Sequence, residues 1–78
     1  MRTYRKRKQI AEEFDFSHRM MEEATKGLRK HAERYPNGAI SSGRTVLIDK
    51  EMFLDWLKYR EALERGVPVP AFRREEYQ

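Results

Sequence analysis

The sequence contains no cysteine and no apolar run longer than three residues. The absence of cysteine excludes disulfides, thiolate metal sites and cysteine nucleophiles, and it is compatible with a reducing cytosol. A run such as Val46, Leu47 and Ile48 is far too short to cross a membrane, which takes about 20 residues. No apolar segment follows the basic residues at the start, as a signal peptide would require. We therefore expect a soluble cytoplasmic protein that does not bind membranes.

The components of a catalytic or metal site are also scarce. There is no glycine-rich phosphate loop, and Ser17, Ser41 and Ser42 lack the context of an activated nucleophile. The paired glutamates at positions 12–13 and 22–23 fall on outward helical faces, where carboxylates are usually solvated. Neither histidine is accompanied by a set of further ligands at the spacing that a metal needs. We expect no enzymatic activity, no metal and no cofactor.

Length and charge set the next limits. A chain of 78 residues forms one domain and buries only a little over ~60% of its unfolded surface, so it has one modest core. The net charge is +4, and the basic residues are clustered. They form a block at the start and recur along a later helix: Arg2, Arg5, Lys6, Arg7, Lys8, then Lys26, Arg29, Lys30 and Arg34. This asymmetry indicates a polyanion partner, and charge retained for solubility is an equal alternative.

The segment 9–29 has the apolar spacing of a helix-turn-helix. Ile10 and Phe14 mark the buried stripe of a short first helix. Asp15 stands where such turns usually have glycine, because aspartate tolerates a left-handed backbone. Phe16 is expected to anchor the turn in the core. Two helices joined in this way leave the outer face of the second free to enter a major groove.

The second helix is predicted to run from Ser17 to Tyr35. Ser17 is a suitable N-cap, and Pro36 ends the run. Apolar residues recur along it at spacings of three and four: Met20, Met21, Ala24, Leu28, Ala32 and Tyr35. Gly27 costs about 1 kcal/mol relative to alanine inside a helix. Either a close helix contact compensates for this glycine or the helix bends there.

After the second helix the hydrophobic period changes. The turn signal at residues 36–38 is followed by two short β-branched and aliphatic segments on either side of a polar tip that contains Gly43, which predicts a β-hairpin. Asp49 caps a third helix, and Gly66 follows its last turn. One face of that helix is marked by Phe53, Trp56, Leu57, Arg60 and Leu63. Phe53 and Trp56 are expected to pack in the core.

These elements predict a mainly α fold with a small β-hairpin, a winged helix-turn-helix over residues 9–66. A basic N-terminal arm, disordered when free, precedes it at residues 1–8, and a proline-containing extended tail follows at residues 67–78. Phe72 is expected either to fold back over the core or to form a strap onto a neighbouring molecule. The last six residues are expected to be a solvated end.

A group of residues in the second half of the chain supports a family resemblance. These are Gly43 and Arg44 at the wing tip, the strand Val46, Leu47, Ile48 and Asp49, and Phe53 with Trp56 and Leu57 in the third helix. With the upstream helices, they resemble the excisionase family of phage and mobile elements, small winged helix proteins related to the MerR DNA-binding domain. The resemblance covers residues 9–57. Two features depart from the family: Asp15 in the turn, and a second helix about two turns longer than usual.

The resemblance implies a non-catalytic, architectural protein that binds specific DNA near a recombination site. Such a protein bends or bridges the DNA with other copies of itself and favours excision by a partner integrase, a tyrosine recombinase. A winged-helix transcriptional repressor would have the same pattern. A further alternative is a protein-interaction or inhibitor module whose apolar surface includes Met20, Met21, Tyr35 and Phe72.

The predicted DNA contacts follow from the geometry of a winged helix. They are Ser17, His18, Arg19, Glu22, Lys26, Arg29 and Lys30 on the second helix, Ser41, Ser42 and Arg44 in the wing, and Arg5, Arg7 and Lys8 in the arm. Arg19 is the candidate for bidentate contact with guanine, and Glu22 for accepting from cytosine. An ion pair between Arg19 and Glu22 or Glu23 is the alternative. One recognition helix reads few bases, so a homodimer or a cooperative array on duplex DNA is expected, in association with the nucleoid.

Overall fold

The computed structural model describes residues 3–78, so Met1 and Arg2 of the expected arm lie outside it. In chain order the elements are β1 (Tyr4–Lys6), α1 (Arg7–Phe14), α2 (His18–Lys30), β2 (Ala39–Ser42), β3 (Thr45–Asp49), α3 (Lys50–Arg65) and a 3₁₀ turn (Arg74–Tyr77). The described protein is mainly helical, with three α-helices and a three-stranded antiparallel sheet in the order β1-β3-β2. None of the helices within residues 3–78 is long and apolar enough to cross a membrane.

The link between α1 and α2 has the predicted conformation. Asp15 adopts a left-handed backbone with φ of 55°, and the amide of Phe16 donates to the carbonyl of Ala11 at 2.9 Å. The ring of Phe16 lies 6.0 Å from that of Phe14 and 5.9 Å from that of Phe53, measured between centroids. The predicted apolar anchor of the turn is therefore confirmed, because this residue joins α1 to α3 through the core.

Helix α2 begins at the predicted cap, since the Ser17 hydroxyl accepts a hydrogen bond from the amide of Met20 at 3.2 Å. Its buried face consists of Met21, Ala24, Thr25, Gly27 and Leu28. A Cβ atom on Gly27 would lie 2.6 Å from Cε2 of Trp56 on α3, and closer still to Nε1. The close approach of α2 and α3 explains the glycine.

The prediction that the second helix extends to Tyr35 is wrong, because α2 ends at Lys30. His31 leaves the helical conformation, with φ of −103° and ψ of 46°. The amide of Tyr35 still bonds to the carbonyl of His31 at 2.9 Å, which preserves a helix-like spacing beyond the end. Both Arg34 and Tyr35 bond to the buried carboxylate of Asp55 on α3. Pairing with a distant part of the chain therefore overrides the local helical pattern.

The predicted hairpin is confirmed as β2 and β3. Ser42 pairs with Thr45 across a two-residue turn. Gly43, the first residue of that turn, has φ of 63°, which is where a type II′ turn requires glycine.

A third strand was not predicted. β1 pairs with the other side of β3, with Arg5 opposite Ile48, and helix α1 begins directly after it at Arg7. Residues 4–8 are therefore not a disordered arm. β1 is only three residues long and mostly polar, so its sequence has no strand signal, and its conformation follows from the open edge of β3.

The core lies between the helices and one face of the sheet. It consists of Ile10, Met21, Ala24, Leu28, Tyr35, Ile48, Met52, Phe53 and Trp56. Ala32, which shares the helical spacing of this set, is exposed, because it lies beyond the end of α2. The predicted caps of α3 are present, since Asp49 accepts from the amide of Met52 at 3.3 Å and Gly66 has a left-handed φ of 71°.

The C-terminal segment folds back onto the domain. The ring of Phe72 packs 6.1 Å from that of Tyr35, which is one of the two expected outcomes. The expectation of a solvated end is wrong for Arg74 and Tyr77, although the other four of the last six residues are exposed. Arg74 bonds to both carboxylate oxygens of Asp49, at 2.8 and 2.7 Å, and to Glu51 at 2.7 Å. Asp49 is fully buried. These bonds raise the pKa of Arg74 above its ordinary value, so the guanidinium remains charged.

Candidate nucleic-acid interface

Helix α2 presents one continuous polar face to solvent. The exposed residues are His18, Arg19, Glu22, Glu23, Lys26, Arg29 and Lys30. The opposite face is buried against the core, so the helix is held firmly while its outer surface stays open. All the predicted contacts on the second helix therefore lie on this face except Ser17, which lies just before it and caps the helix.

The first two turns of this face contain two side-chain pairs at helical spacing. His18 Nε2 lies 2.9 Å from Glu22, and Arg19 lies 3.6 Å from Glu23. The Arg19 side chain is 89% exposed. Solvent-exposed pairs of this kind contribute about 0–1 kcal/mol. A ligand with stronger acceptors replaces such contacts at little cost.

The last two turns are tied to other elements. Arg29 donates to the Ser41 hydroxyl of β2 at 2.8 Å, so it joins the helix to the hairpin. Lys30 bonds to Glu64 on α3 at 2.9 Å, and this hydrogen bond lowers the pKa of the glutamate. Lys26 has no hydrogen bond or ion pair within residues 3–78. Arg29 thus borders the hairpin side of the face and Lys30 borders the α3 side. Lys26 lies one turn earlier and, viewed down the helix axis, between the two.

The hairpin turn lies on the Arg29 side of the face. Ser41, Ser42, Gly43 and Arg44 are all exposed. Arg44 has no ion pair within the described residues. The structure therefore brings the predicted wing residues next to the C-terminal half of α2, with the link between Arg29 and Ser41 fixing their relative position.

The three basic residues expected in the arm lie on ordered elements. Arg7 and Lys8 open helix α1 and line a cavity of about 390 Å³ together with His18 and Met21 of α2. Arg5 is exposed on β1, an edge strand of the sheet. The structure thus brings Arg7 and Lys8 to the start of the α2 face and leaves Arg5 outside that group.

A buried polar cluster joins α3 to the segment after α2 and to the C-terminal 3₁₀ turn. Asp55 accepts from Arg34 Nε at 2.8 Å and from the hydroxyls of Tyr35 and Tyr77. Burial and the adjacent carboxylate raise the pKa of both tyrosines. Burial alone would lower the pKa of Arg34, but its hydrogen bonds to Asp55 and Tyr35 outweigh this effect and raise it. The cluster therefore combines one fixed ion pair with two neutral tyrosines.

The sequence did not predict a second surface, which we call the α2–α3 groove. It has a volume of about 370 Å³ and is lined by Glu23, Lys26, Gly27, Lys30, Trp56, Arg60, Glu61 and Glu64. Arg60 was predicted on the apolar face of α3, yet it is exposed, with its guanidinium 5.6 Å from the centroid of the Trp56 ring. The isolated Gly27 was the available signal, because it indicated a close helix contact.

No group of three or more histidine, aspartate or glutamate side chains within residues 3–78 is arranged to hold a metal ion. Comparison of the chain with protein family models, with curated proteins and with solved structures finds no match.

Proposed function

We propose that this protein is a sequence-specific duplex DNA-binding protein of the winged helix-turn-helix type, with α2 as the recognition helix and β2–β3 as the wing. The observation that supports this most is the exposed polar face of α2, which Arg29 ties to strand β2 of the hairpin. An α-helix enters a major groove by such a face, and a neighbouring hairpin reaches the adjacent backbone.

Base contacts come from the start of α2. Arg19 releases its exposed pair with Glu23 and donates both guanidinium branches to a guanine edge. Glu22 accepts from a cytosine amino group, and His18 then loses its partner at 2.9 Å. Each bidentate contact provides about 1–3 kcal/mol of discrimination between bases.

Phosphate contacts come from both ends of this surface. Arg44, with the hydroxyls of Ser41 and Ser42, is positioned at the hairpin turn, while Arg7 and Lys8 border the start of α2. These groups add affinity that depends on salt and not on base sequence. Arg29 and Lys30 contribute mainly by holding α2 against the hairpin and α3.

The role of this binding is proposed from the family resemblance: an excisionase-type architectural factor acting beside an integrase. A transcriptional regulator with the same surface is the alternative. The arrangement of preferred sites distinguishes the two roles. Direct copies of one site favour a cooperative array, and an inverted repeat favours a dimeric regulator.

The test is selection of preferred sites from random duplexes, followed by fluorescence anisotropy of the selected and a scrambled duplex over a range of salt. We expect Arg19→Ala to reduce the preference for the selected duplex by about 1–3 kcal/mol, and Arg44→Ala to weaken both duplexes alike and reduce the salt slope by about 1. Lys58→Ala, an exposed site on α3, is the matched control. The absence of any enriched sequence, with no duplex binding at low salt, would overturn the proposal.

A further inference from the structure

We infer that the α2–α3 groove is a docking site for an acidic peptide segment of a partner protein, one in which carboxylates flank an apolar side chain. None of the proposed base contacts His18, Arg19 and Glu22 lines this groove, and the proposal concerns the protein free of DNA, in which Arg19 is paired with Glu23. Its volume of about 370 Å³ falls within the range of binding clefts.

The floor of the groove offers an unused hydrogen-bond donor. Trp56 and Gly27 both line the groove. Nε1 is the indole atom that lies closest to the position a Cβ atom on Gly27 would take. This N–H makes no hydrogen bond to any of residues 3–78. This nitrogen is not fully buried, so a ligand in the groove can reach it. A carbonyl or carboxylate oxygen of the ligand would accept its hydrogen bond.

The charges on the rim favour an acidic ligand. Each of the three carboxylates already has a basic neighbour: Glu23 lies 3.6 Å from Arg19, Glu61 lies 3.6 Å from Arg65, and Glu64 lies 2.9 Å from Lys30. Two cations of the rim, Lys26 and Arg60, have no carboxylate partner within the described chain. The charge left uncompensated at the mouth is therefore positive.

The same features disfavour a nucleic acid. A base would need a free aromatic face for stacking, but the Phe53 ring stacks 6.5 Å from the Trp56 ring and the Arg60 guanidinium also lies over it. Only the edge of the indole is available, and it suits one hydrogen bond beside an apolar side chain.

The single tryptophan of the chain provides the readout, because it forms the floor of the groove. The probe is a short tryptophan-free peptide with one leucine between aspartates, and its control replaces the aspartates with lysines. We expect the acidic peptide to change the Trp56 fluorescence in a saturable manner at micromolar concentrations, with the basic peptide at least about tenfold weaker. Equal responses to both peptides, or none to either, would overturn the inference.

Substitution of Arg60 tests the assignment to this groove without touching the proposed DNA contacts. We expect Arg60→Glu to weaken the acidic peptide at least about tenfold, and Arg60→Lys to restore most of the affinity. Lys58→Glu introduces the same charge change on α3 outside the groove and should leave binding unchanged. Circular dichroism confirms that each variant is folded. Equal losses in Arg60→Glu and Lys58→Glu would show a general charge effect and refute the site. If the acidic peptide displaces a bound duplex, the duplex occupies the groove. That result would refute the choice of a protein partner.

Discussion

The contact between Gly27 and Trp56 makes a prediction about stability. Alanine is the better helix former by about 1 kcal/mol, so helix propensity alone predicts that Gly27→Ala stabilises the protein. The packing predicts the opposite, because the added Cβ would lie 2.6 Å from Cε2 of the indole. Ordinary contacts of this kind are 3.4–4 Å, so α2, α3 or the indole must move.

The expected cost follows from how little freedom the indole has. Trp56 is only 5% exposed, and the ring of Phe53 lies 6.5 Å away in a stacked arrangement. Overpacking of a core costs about 1–3 kcal/mol of stability. Because the indole is rigid and enclosed, we expect a cost at the upper end of this range. Subtracting the gain of about 1 kcal/mol in helix propensity, we expect Gly27→Ala to lower the free energy of unfolding by about 2 kcal/mol. For a domain of this size, that lowers Tm by about 8–16 °C.

Urea unfolding of the four members of a double-mutant cycle measures this effect. In the Trp56→Leu background the clash is gone, so Gly27→Ala should be neutral or stabilising by up to about 1 kcal/mol. The difference between the two backgrounds is the coupling energy, about 2–3 kcal/mol. If Gly27→Ala stabilises the natural sequence, or has the same effect in both backgrounds, the argument from the helix contact is refuted.

Three further predictions concern the C-terminal segment and the hairpin. Arg74→Ala should lower the free energy of unfolding by about 3 kcal/mol, since it leaves the buried carboxylate of Asp49 without its cation. In the control Arg73→Ala, which changes an exposed side chain, the free energy of unfolding should change by no more than about 0.5 kcal/mol. Because burial and a carboxylate raise the pKa of Tyr77 in the folded state, stability should decline as pH rises above about 10, where unfolded tyrosine ionises. A decline in Tyr77→Phe as steep as that of the natural protein in alkaline urea titrations would contradict this. Gly43→Val should distort the turn at φ of 63° and weaken duplex binding while the core stays folded, and unchanged anisotropy would remove the wing from the interface.

Local sequence signals were sufficient where the structure depends on local chemistry. The left-handed Asp15, the cap at Ser17 and the two-residue turn at Gly43 all follow from properties of single residues or their neighbours. The exposed face of α2 follows from helical periodicity in the same way. These signals located the hairpin and the start of the candidate interface.

The remaining features depend on partners far away in the sequence. Beyond the end of α2, Arg34 and Tyr35 bond to Asp55, which is 21 and 20 residues away in the sequence. The C-terminal segment is held by Arg74, whose carboxylate partners are more than 20 residues away. The α2–α3 groove exists only once two helices pack together. Gly27 is compatible with a close helix contact, but no pattern within one segment identifies the partner in such pairings.

The most direct test of the central claim is an amide chemical-shift titration of the protein with its selected duplex. The proposed interface predicts that the largest changes fall on residues 18–26 of α2 and on the turn between Ser42 and Thr45, with little change in the C-terminal turn (Arg74–Tyr77). A spectrum unchanged by the duplex, or changes confined to α3 and the C-terminal turn, would contradict α2 as the recognition helix.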